Sequence, residues 1–250
     1  MGAARRHPRP VPPDPAGRVG LMIERILPPQ VASADAFDDR EAVVLFPDEE
    51  AAVARAVDKR RREFTTARGC ARRALAALGL PPAPIVPGER GAPGWPAGVV
   101  GSMTHCDGYR ASAVAWEKEV RTVGLDAEPN GPLPDGVLEA VTGPAERAWI
   151  ERRDGDGSGV CWDRLLFSAK ESVYKAWFPL TRRWLGFEEA VVTPDPDAGT
   201  FTARLCVPGP VVDGRALTGF TGRWIVDRGL VVTAIAVPAV VPERPAAGAR

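Results

Sequence analysis

The sequence predicts an α+β fold in which helices and strands are mixed along both halves of the chain. Segments with apolar residues at helical spacing predict amphipathic helices, and shorter runs of β-branched and aromatic residues between turn residues predict strands. The chain has 250 residues, of which 45% are hydrophobic. It is therefore long enough to form one large core or two compact subdomains.

The longest predicted helix covers residues 48–78. Apolar residues from Phe64 to Leu78 keep the spacing of one helix face, and Gly79 and Pro81 follow as residues that end helices. A second, shorter helix is predicted over residues 144–152, where proline stands at the first helical position.

The predicted strands are short runs rich in valine, isoleucine, phenylalanine and tryptophan. They cover residues 99–100, 111–116, 120–125, 187–192, 201–207, 223–226 and 230–237. We expect the last two to pair as a hairpin, because only a few turn residues separate them. No internal repeat is visible in the order of these elements.

Both ends of the chain are rich in proline or alanine and lack an apolar pattern. We therefore predict flexible tails at residues 1–18 and 239–250. The interior segment 151–159, rich in glycine, aspartate and arginine, is predicted to be a mobile surface loop.

Charge and cysteine content exclude several classes of protein. With 32 basic and 32 acidic residues the formal net charge is zero, which disfavours a nucleic-acid-binding surface but leaves a local basic cleft open. The four cysteines lie far apart without a C-x-x-C pair, which argues against a zinc knuckle. No signal peptide or twenty-residue apolar run is visible, so we expect a reduced cytoplasmic protein with buried free thiols and no membrane partner.

Two lysines stand out because lysine is scarce. Only four of the 32 basic residues are lysine, yet Lys170 and Lys175 lie five positions apart around Glu171. A lysine ammonium is a compact point charge suited to a phosphate oxygen, whereas arginine is a planar fork. The alternative is an ordinary surface ion pair between Glu171 and Lys175, four residues apart on a helix.

A helix that begins near Trp162 would carry these lysines. At ~100° per residue, its apolar residues form one stripe, while Glu171 and Lys175 lie on the opposite side and Lys170 lies on the flank. This geometry permits a cleft-facing pair and equally permits a solvated face. The members of the apolar stripe are Trp162, Leu165, Leu166, Ala169, Val173, Ala176 and Trp177.

A pair of carboxylates precedes this helix. On an extended strand Asp126 and Glu128 would point to the same face, because side chains alternate along a strand. Like charges so placed repel unless they are solvated or neutralised by a divalent cation. Carboxylate oxygens suit Mg²⁺, whose remaining ligands are commonly water and substrate phosphates.

Four motifs together carry a family resemblance. They are Gly-Leu-Asp-Ala-Glu at 124–128, Phe-Ser-Ala-Lys-Glu-Ser-Val-Tyr-Lys at 167–175, Arg-Arg-Arg-Glu-Phe at 60–64 with Arg68, and Gly-Ser-Met-Thr-His-Cys at 101–106. In this combination the chain resembles the type II, Sfp-like branch of the 4′-phosphopantetheinyl transferases over roughly residues 55–237. Phe167 departs from the family pattern, in which tryptophan is usual.

The resemblance implies two similar α+β subdomains in a pseudo-twofold arrangement, with the active site between them. On this basis we expect an N-terminal subdomain at residues 19–121 and a C-terminal subdomain with the metal site at 122–238. It also implies the reaction, which moves the phosphopantetheine arm of coenzyme A onto a serine of an apo acyl- or peptidyl-carrier protein and releases 3′,5′-ADP.

The implied site follows residue by residue from the matched motifs. Mg²⁺, or alternatively Mn²⁺, would be held by Asp126, Glu128 and Glu171, and the residues that act in catalysis would be Asp126, Glu171 and Lys175. Glu171, or a water that it orients, is the candidate general base. The coenzyme A contacts would come from Arg60, Arg68, Arg90, Ser102, Thr104, His105, Lys170 and Lys175.

Two alternatives of other classes stay open at this point. One is a non-catalytic module that binds coenzyme A or another nucleotide and regulates a partner, and the other is a Mg²⁺-dependent phosphohydrolase that uses the same carboxylates on water. We expect a monomer that binds carrier proteins through the 151–159 loop and the 181–185 segment, where arginine and tryptophan are exposed to a partner.

Overall fold

The computed structural model describes residues 22–153 and 155–240, and its two sheets are each covered by one twenty-residue helix. The α+β fold class is confirmed. The predicted tail at residues 1–18 and most of the tail at 239–250 lie outside the described residues.

The N-terminal sheet has three antiparallel strands. Strand β3 (Tyr109–Trp116) lies in the middle, between β1 (Ala32–Ala36) and β2 (Val99–Cys106). Helix α1 (Pro47–Val53) precedes the long helix α2 (Asp58–Ala77), which packs on this sheet through Cys70, Ala71, Ala74 and Leu75.

The C-terminal sheet has five antiparallel strands in the order β4-β10-β9-β6-β5. The strands are β4 (Val120–Pro129), β5 (Ala190–Asp195), β6 (Thr200–Leu205), β9 (Gly219–Asp227) and β10 (Leu230–Pro238), and a separate ribbon pairs β7 (Val211–Val212) with β8 (Arg215–Ala216). The helices of this half are α3 (Val137–Val141), α4 (Pro144–Glu151) and α5 (Trp162–Thr181). The predicted apolar stripe of α5 is confirmed, because all seven of its members are buried.

Side-chain hydroxyl groups join the two sheets. The Oγ of Ser102 on β2 accepts a hydrogen bond from the backbone N–H of Leu125 on β4 at 3.1 Å, and Thr104 Oγ1 accepts from Ala127 N–H at 3.1 Å. The far edge of β4 is therefore satisfied by serine and threonine rather than by another backbone. This junction places the start of the C-terminal half directly beside β2.

Helix α5 lies so close to β4 that one position tolerates only glycine. A Cβ on Gly124 would lie 2.0 Å from the carbonyl oxygen of Ser172 and 2.9 Å from the backbone nitrogen of Ala176. Two residues earlier on the same strand, Thr122 Oγ1 donates to the carbonyl of Ala176 at 2.8 Å. The glycine of the Gly-Leu-Asp-Ala-Glu motif is thus a packing requirement that sets the distance between helix and strand.

A buried hydroxyl cluster fixes the same helix to β10. Thr233 Oγ1 lies 3.0 Å from Ser168 Oγ and 2.5 Å from Ser172 Oγ, and it donates to the carbonyl of Ser168 at 2.9 Å. Thr233 is the direct antiparallel partner of Asp126 in the β10–β4 ladder. The hydroxyl cluster therefore fixes α5 to β10 directly beside Asp126, one of the predicted acidic residues.

Several element boundaries differ from the sequence prediction. The helix predicted over 48–78 is two helices, because residues 54–57 break it before Asp58. The strand predicted at 99–100 continues to Cys106, so the Gly-Ser-Met-Thr-His-Cys motif lies on this strand. At 187–192 the chain forms a short 3₁₀ helix before β5, and β1 and α3 were not predicted. The predicted subdomain boundary between residues 121 and 122 falls at the start of β4 and stays a prediction.

The thiols are less uniform than expected. All four cysteines are free, but only Cys70 is buried, while Cys106 and Cys161 are half-buried and Cys206 is exposed, so the expectation of buried thiols is confirmed for Cys70 alone. None of the helices in the described residues combines the length and the apolar character needed to cross a membrane.

We expect Gly124→Ala to lower the stability of the protein, because its new methyl group would overlap the backbone of α5. Overpacking of a core typically costs ~1–3 kcal/mol, which for a domain of this size corresponds to a fall in Tm of about 2–12 °C. Thermal unfolding followed by circular dichroism measures this. Gly131→Ala is the matched control, since nothing lies within 4 Å of a Cβ at that glycine. Equal melting temperatures for the two variants would contradict the packing argument.

Candidate active site

Three alternate residues of β4 face α5. Gly124 contacts the helix backbone, Asp126 pairs with Lys175 at 2.7 Å, and Glu128 pairs with Arg164 at 3.0 Å. This is the period-two geometry of an extended strand, which places residues i, i+2 and i+4 on one face. The strand and the helix together bring Asp126, Glu128 and Lys175, which the sequence predicts as site residues, to one surface.

Asp126 has one satisfied and one unsatisfied oxygen. Its Oδ1 accepts from Lys175 Nζ at 2.7 Å and from Thr104 Oγ1 at 3.3 Å, and Nζ also donates to the carbonyl of Leu125 at 3.0 Å. Its Oδ2 is buried and has no hydrogen-bond partner. An unpaired buried carboxylate oxygen is costly, and it is a ready ligand for a cation.

Glu128 and Glu171 complete the acidic surface. Burial raises the pKa of both carboxyls, and the charge of Asp126 raises each pKa further. Arg164 opposes this shift at Glu128 and Lys175 opposes it at Glu171. The charge of Asp126 therefore disfavours the ionised forms of Glu128 and Glu171, and a divalent cation would relieve this repulsion.

A cation at this surface would need ligands from outside the protein. Within residues 22–153 and 155–240, no three His, Cys, Asp or Glu side chains already converge as a metal cage. Mg²⁺ commonly binds through one or two carboxylates with water and substrate phosphates as its other ligands. The free Oδ2 of Asp126 and the neighbouring carboxylates fit that mode of binding.

The structure does not bring Lys170 to this surface. Its ammonium donates to Glu146 Oε2 at 2.9 Å and to the carbonyl of Phe187 at 2.7 Å, and its side chain is 2% exposed. The other oxygen of Glu146 accepts from Val192 N–H at 2.8 Å. Lys170 thus forms a buried ion pair that ties α4, α5 and β5 together, and its charge is satisfied away from Asp126.

Arg60 and His105 form a basic edge beside the acidic surface. Arg60 Nη1 donates to His105 Nε2 at 2.5 Å, and the histidine side chain is 37% exposed. Burial, together with the charges of Arg60, Lys175 and Arg110, lowers the pKa of His105 to about 4, while Asp126 opposes the shift. At neutral pH the ring is therefore uncharged and can accept the bond from Arg60.

Arg68 is held by the protein itself. Its Nε donates to the carbonyl of Ile85 at 3.2 Å, and its guanidinium lies 3.5 Å from the centre of the Phe64 ring. Burial lowers the pKa of Arg68 to about 10. These contacts fix the loop at Ile85 against α2, which leaves Arg60 as the more accessible of the two arginines.

Ser102 and Thr104 are almost fully buried, and their hydroxyls accept hydrogen bonds from the backbone of β4.

Arg90, in contrast, is exposed. It adopts a φ of 53°, and its guanidinium lies 5.3 Å from the centre of the Trp184 ring. It lines a cavity of about 230 Å³ together with Glu171, Lys175 and Tyr174.

Sequence reasoning missed two charged neighbours of the site. Glu63, in the Arg-Arg-Arg-Glu-Phe motif, lies 3.6 Å from His105 Nε2 and 3.7 Å from the buried Arg110. Arg164 binds Glu128. Glu63 could have been noticed from its place within a matched motif, whereas Arg164 has no signal in a chain so rich in arginine.

Beside the junction of β2 and β4, the structure thus places Asp126 and Glu128 on one face with Lys175. Two family models match the chain. Residues 48–115 match the 4′-phosphopantetheinyl transferase N-terminal domain, and residues 122–217 match the 4′-phosphopantetheinyl transferase superfamily.

Three curated relatives cover most of the chain. The 4′-phosphopantetheinyl transferase Svp of Streptomyces mobaraensis is 59% identical over 91% of this chain and 95% of its own length. Npt of Nocardia iowensis is 53% identical over 86% and 99%, and PptT of Mycobacterium tuberculosis is 49% identical over 87% and 98%. The chain therefore belongs to the 4′-phosphopantetheinyl transferase family, as its motifs predict.

We expect the His105 ring to titrate near pH 4, well below the value of ~6.5 for an unperturbed histidine. Because the folded pKa is depressed, the neutral ring contributes stability that is fully present above pH ~6.5 and is lost as the pH falls toward 4. Proton NMR of the ring resonances measures this pKa. The chain has two histidines, so His7→Gln assigns the signals, and Arg60→Ala should raise the pKa of His105. Titration near 6.5 in the parent protein would contradict the described environment.

Proposed function

We propose that this transferase moves the phosphopantetheine arm of coenzyme A onto a serine hydroxyl of apo acyl- and peptidyl-carrier proteins. The observation that carries the proposal is the free, buried Oδ2 of Asp126 beside Lys175, with Glu128 and Glu171 as its acidic neighbours. Such a surface is suited to hold a phosphate group together with its counter-cation.

Charge at the transferred phosphate is the main obstacle to the reaction. A divalent cation held by Asp126, Glu128 and Glu171 would act as a Lewis acid that neutralises the pyrophosphate of coenzyme A. Lys175 adds a positive charge whose position is fixed by Asp126 and by the carbonyl of Leu125. An ammonium oriented in advance loses little conformational entropy when it meets a phosphate oxygen.

Bond formation follows from these positions. The carrier serine oxygen attacks the β-phosphorus of coenzyme A, and the bond from that phosphorus to the oxygen of the leaving 3′,5′-ADP breaks. Glu171, or a water that it orients, takes the serine proton. A carboxylate that binds the cation is a weak base, which favours the water that Glu171 orients.

The nucleotide end of coenzyme A is assigned to the basic edge. Arg60 and the neutral ring of His105 offer hydrogen-bond donors to the 3′-phosphate, and Arg90 borders the cavity next to Glu171. Arg68 supports this edge through Ile85 and Phe64. Ser102 and Thr104 act by placing β4, and Lys170 by placing α5, so we propose an indirect role for these three residues.

Carrier docking is proposed at the 181–185 segment. Trp184 is 57% exposed, and its ring centre lies 5.0 Å from that of Tyr174 and 5.3 Å from the guanidinium of Arg90, next to the cavity that Glu171 lines. An exposed aromatic residue with adjacent arginines is a common anchor for a protein partner. We further propose that the protein is a monomer and that it acts in the cytoplasm, with coenzyme A and carrier proteins as its substrates.

Mass spectrometry of a carrier protein tests this function directly. The purified enzyme is mixed with coenzyme A, Mg²⁺ and an apo carrier, and we expect the carrier to gain the mass of one phosphopantetheine arm. Hydrolysis of coenzyme A without carrier modification would instead support a phosphohydrolase. Binding of coenzyme A without either product would support a regulatory module.

We expect Asp126→Asn, Glu128→Gln and Glu171→Gln each to lower the transfer rate by about 100-fold or more, because each removes a negative charge from the cation surface. Folding is checked by circular dichroism. Glu139→Gln is the control, since this glutamate is exposed on α3. Rates close to that of the parent in all three variants would end the assignment of the carboxylates.

The two arginines of the nucleotide edge should separate in their effects. We expect Arg60→Ala to weaken the use of coenzyme A by ~10–100-fold while barely changing the use of 3′-dephospho-coenzyme A, because a charge-assisted hydrogen bond is worth roughly 1.5–3 kcal/mol. Arg68→Ala should lower Tm and should lower kcat/KM equally for both donors, because it removes the contacts with Ile85 and Phe64. Comparison of kcat/KM for the two donors measures this. Equal losses on both donors for Arg60→Ala would remove it from the 3′-phosphate site.

A further inference from the structure

Arg164 lies in the first turn of α5, and all of its guanidinium nitrogens bind residues at or just after the end of β4. Its Nη1 donates to Glu128 Oε2 at 3.0 Å, Nε donates to the carbonyl of Gly131 at 2.9 Å, and Nη2 donates to the carbonyl of Pro132 at 2.6 Å. Only 15% of the side chain is exposed. All three nitrogens of the planar group are therefore occupied by one short stretch of chain.

Such a contact restricts Glu128 more than an ordinary surface ion pair would. Exposed pairs hold their side chains loosely and contribute ~0–1 kcal/mol. Here the two backbone carbonyls fix the plane of the guanidinium, and the fixed plane then fixes the oxygen of Glu128 that it binds. The second carboxylate oxygen of Glu128 is left outside this contact.

Neighbouring residues secure the same junction from both sides. Asp163 accepts the backbone N–H of Leu133 at 2.8 Å. Asn130 donates to the carbonyl of Gly159 at 2.8 Å and accepts from Cys161 N–H at 2.9 Å. The start of α5 is thereby held on the end of β4, so the position of Arg164 does not depend on its own side chain alone.

Helix α5 thus contacts each of the three residues of the β4 face in turn. The backbone at Ser172 meets Gly124, Lys175 meets Asp126, and Arg164 meets Glu128. Lys175 is next to the reacting phosphate in the proposed reaction, whereas the guanidinium of Arg164 is taken up by Glu128 and the carbonyls of Gly131 and Pro132.

We infer that Arg164 is a positioning residue, which orients Glu128 so that its free oxygen serves the divalent cation of the transfer reaction. This inference rests on the proposed function, because it presumes that Glu128 helps to bind the cation. Outer contacts that orient a metal ligand typically change metal affinity by ~10–100-fold when they are removed.

The test measures cation affinity without turnover. Thermal unfolding of the enzyme with saturating coenzyme A is followed over a Mg²⁺ titration, with no carrier protein present. We expect Arg164→Ala to weaken the apparent Mg²⁺ affinity about tenfold or more, and Arg164→Lys to recover part of that loss, because lysine keeps the charge but cannot bind all three acceptors.

Arg121→Ala is the matched control. Arg121 also lies on β4 and pairs with an aspartate, Asp213, at 2.7 Å, but it does so at the other end of the strand. Its Mg²⁺ affinity should stay within about twofold of the parent. Melting temperatures without ligand show whether each variant folds. If Arg164→Ala is unfolded, the Mg²⁺ affinity of Arg164→Lys is compared with that of the parent instead.

The outcomes separate the inference from the function beneath it. Transfer by the parent enzyme, together with Arg164 variants that bind Mg²⁺ as tightly as the parent or more tightly, would overturn the positioning role. A parent enzyme that fails to modify a carrier would instead overturn the proposed function. Weakened Mg²⁺ binding in Arg164→Ala but not in Arg121→Ala supports the inference.

Discussion

The backbone contact between α5 and β4 at Gly124 is the constraint on which the rest of the site depends. With no side chain at this position, the helix approaches the strand closely enough for Lys175 Nζ to reach Asp126 at 2.7 Å. The hydroxyl cluster around Thr233 holds the helix from the neighbouring strand. Because protein interiors are close-packed, a change at this contact is transmitted to the charged groups beside it.

Electrostatic strain is concentrated at this junction. The charge of Asp126 disfavours the ionised forms of Glu128 and Glu171, while Lys175 and Arg164 oppose this effect at Glu128 and Lys175 opposes it at Glu171. The unpaired Oδ2 of Asp126 adds a desolvation cost that folding alone does not offset. Proteins keep such locally unfavourable arrangements chiefly where a ligand completes them, which is why this surface and not the Lys170–Glu146 pair is the centre of the account.

Local patterns in the sequence predicted the parts of the fold and site that depend on short-range geometry. Strand alternation placed Asp126 and Glu128 on one face, and helical periodicity gave the buried stripe of α5. Partners distant in sequence could not be predicted in this way. Lys170 binds Glu146, 24 residues earlier, and Ser102 binds the backbone of Leu125, 23 residues later. A residue type shows that a charge or hydroxyl needs a partner, but the tertiary fold decides which partner it meets.

A crystal structure with coenzyme A and Mn²⁺ would test the central claim most directly, because Mn²⁺ replaces Mg²⁺ at oxygen sites and is located by its anomalous scattering. We expect an anomalous peak within about 2–2.5 Å of Asp126 Oδ2, in contact with the pyrophosphate of coenzyme A. A peak elsewhere, or a pyrophosphate bound away from β4 and Lys175, would contradict it.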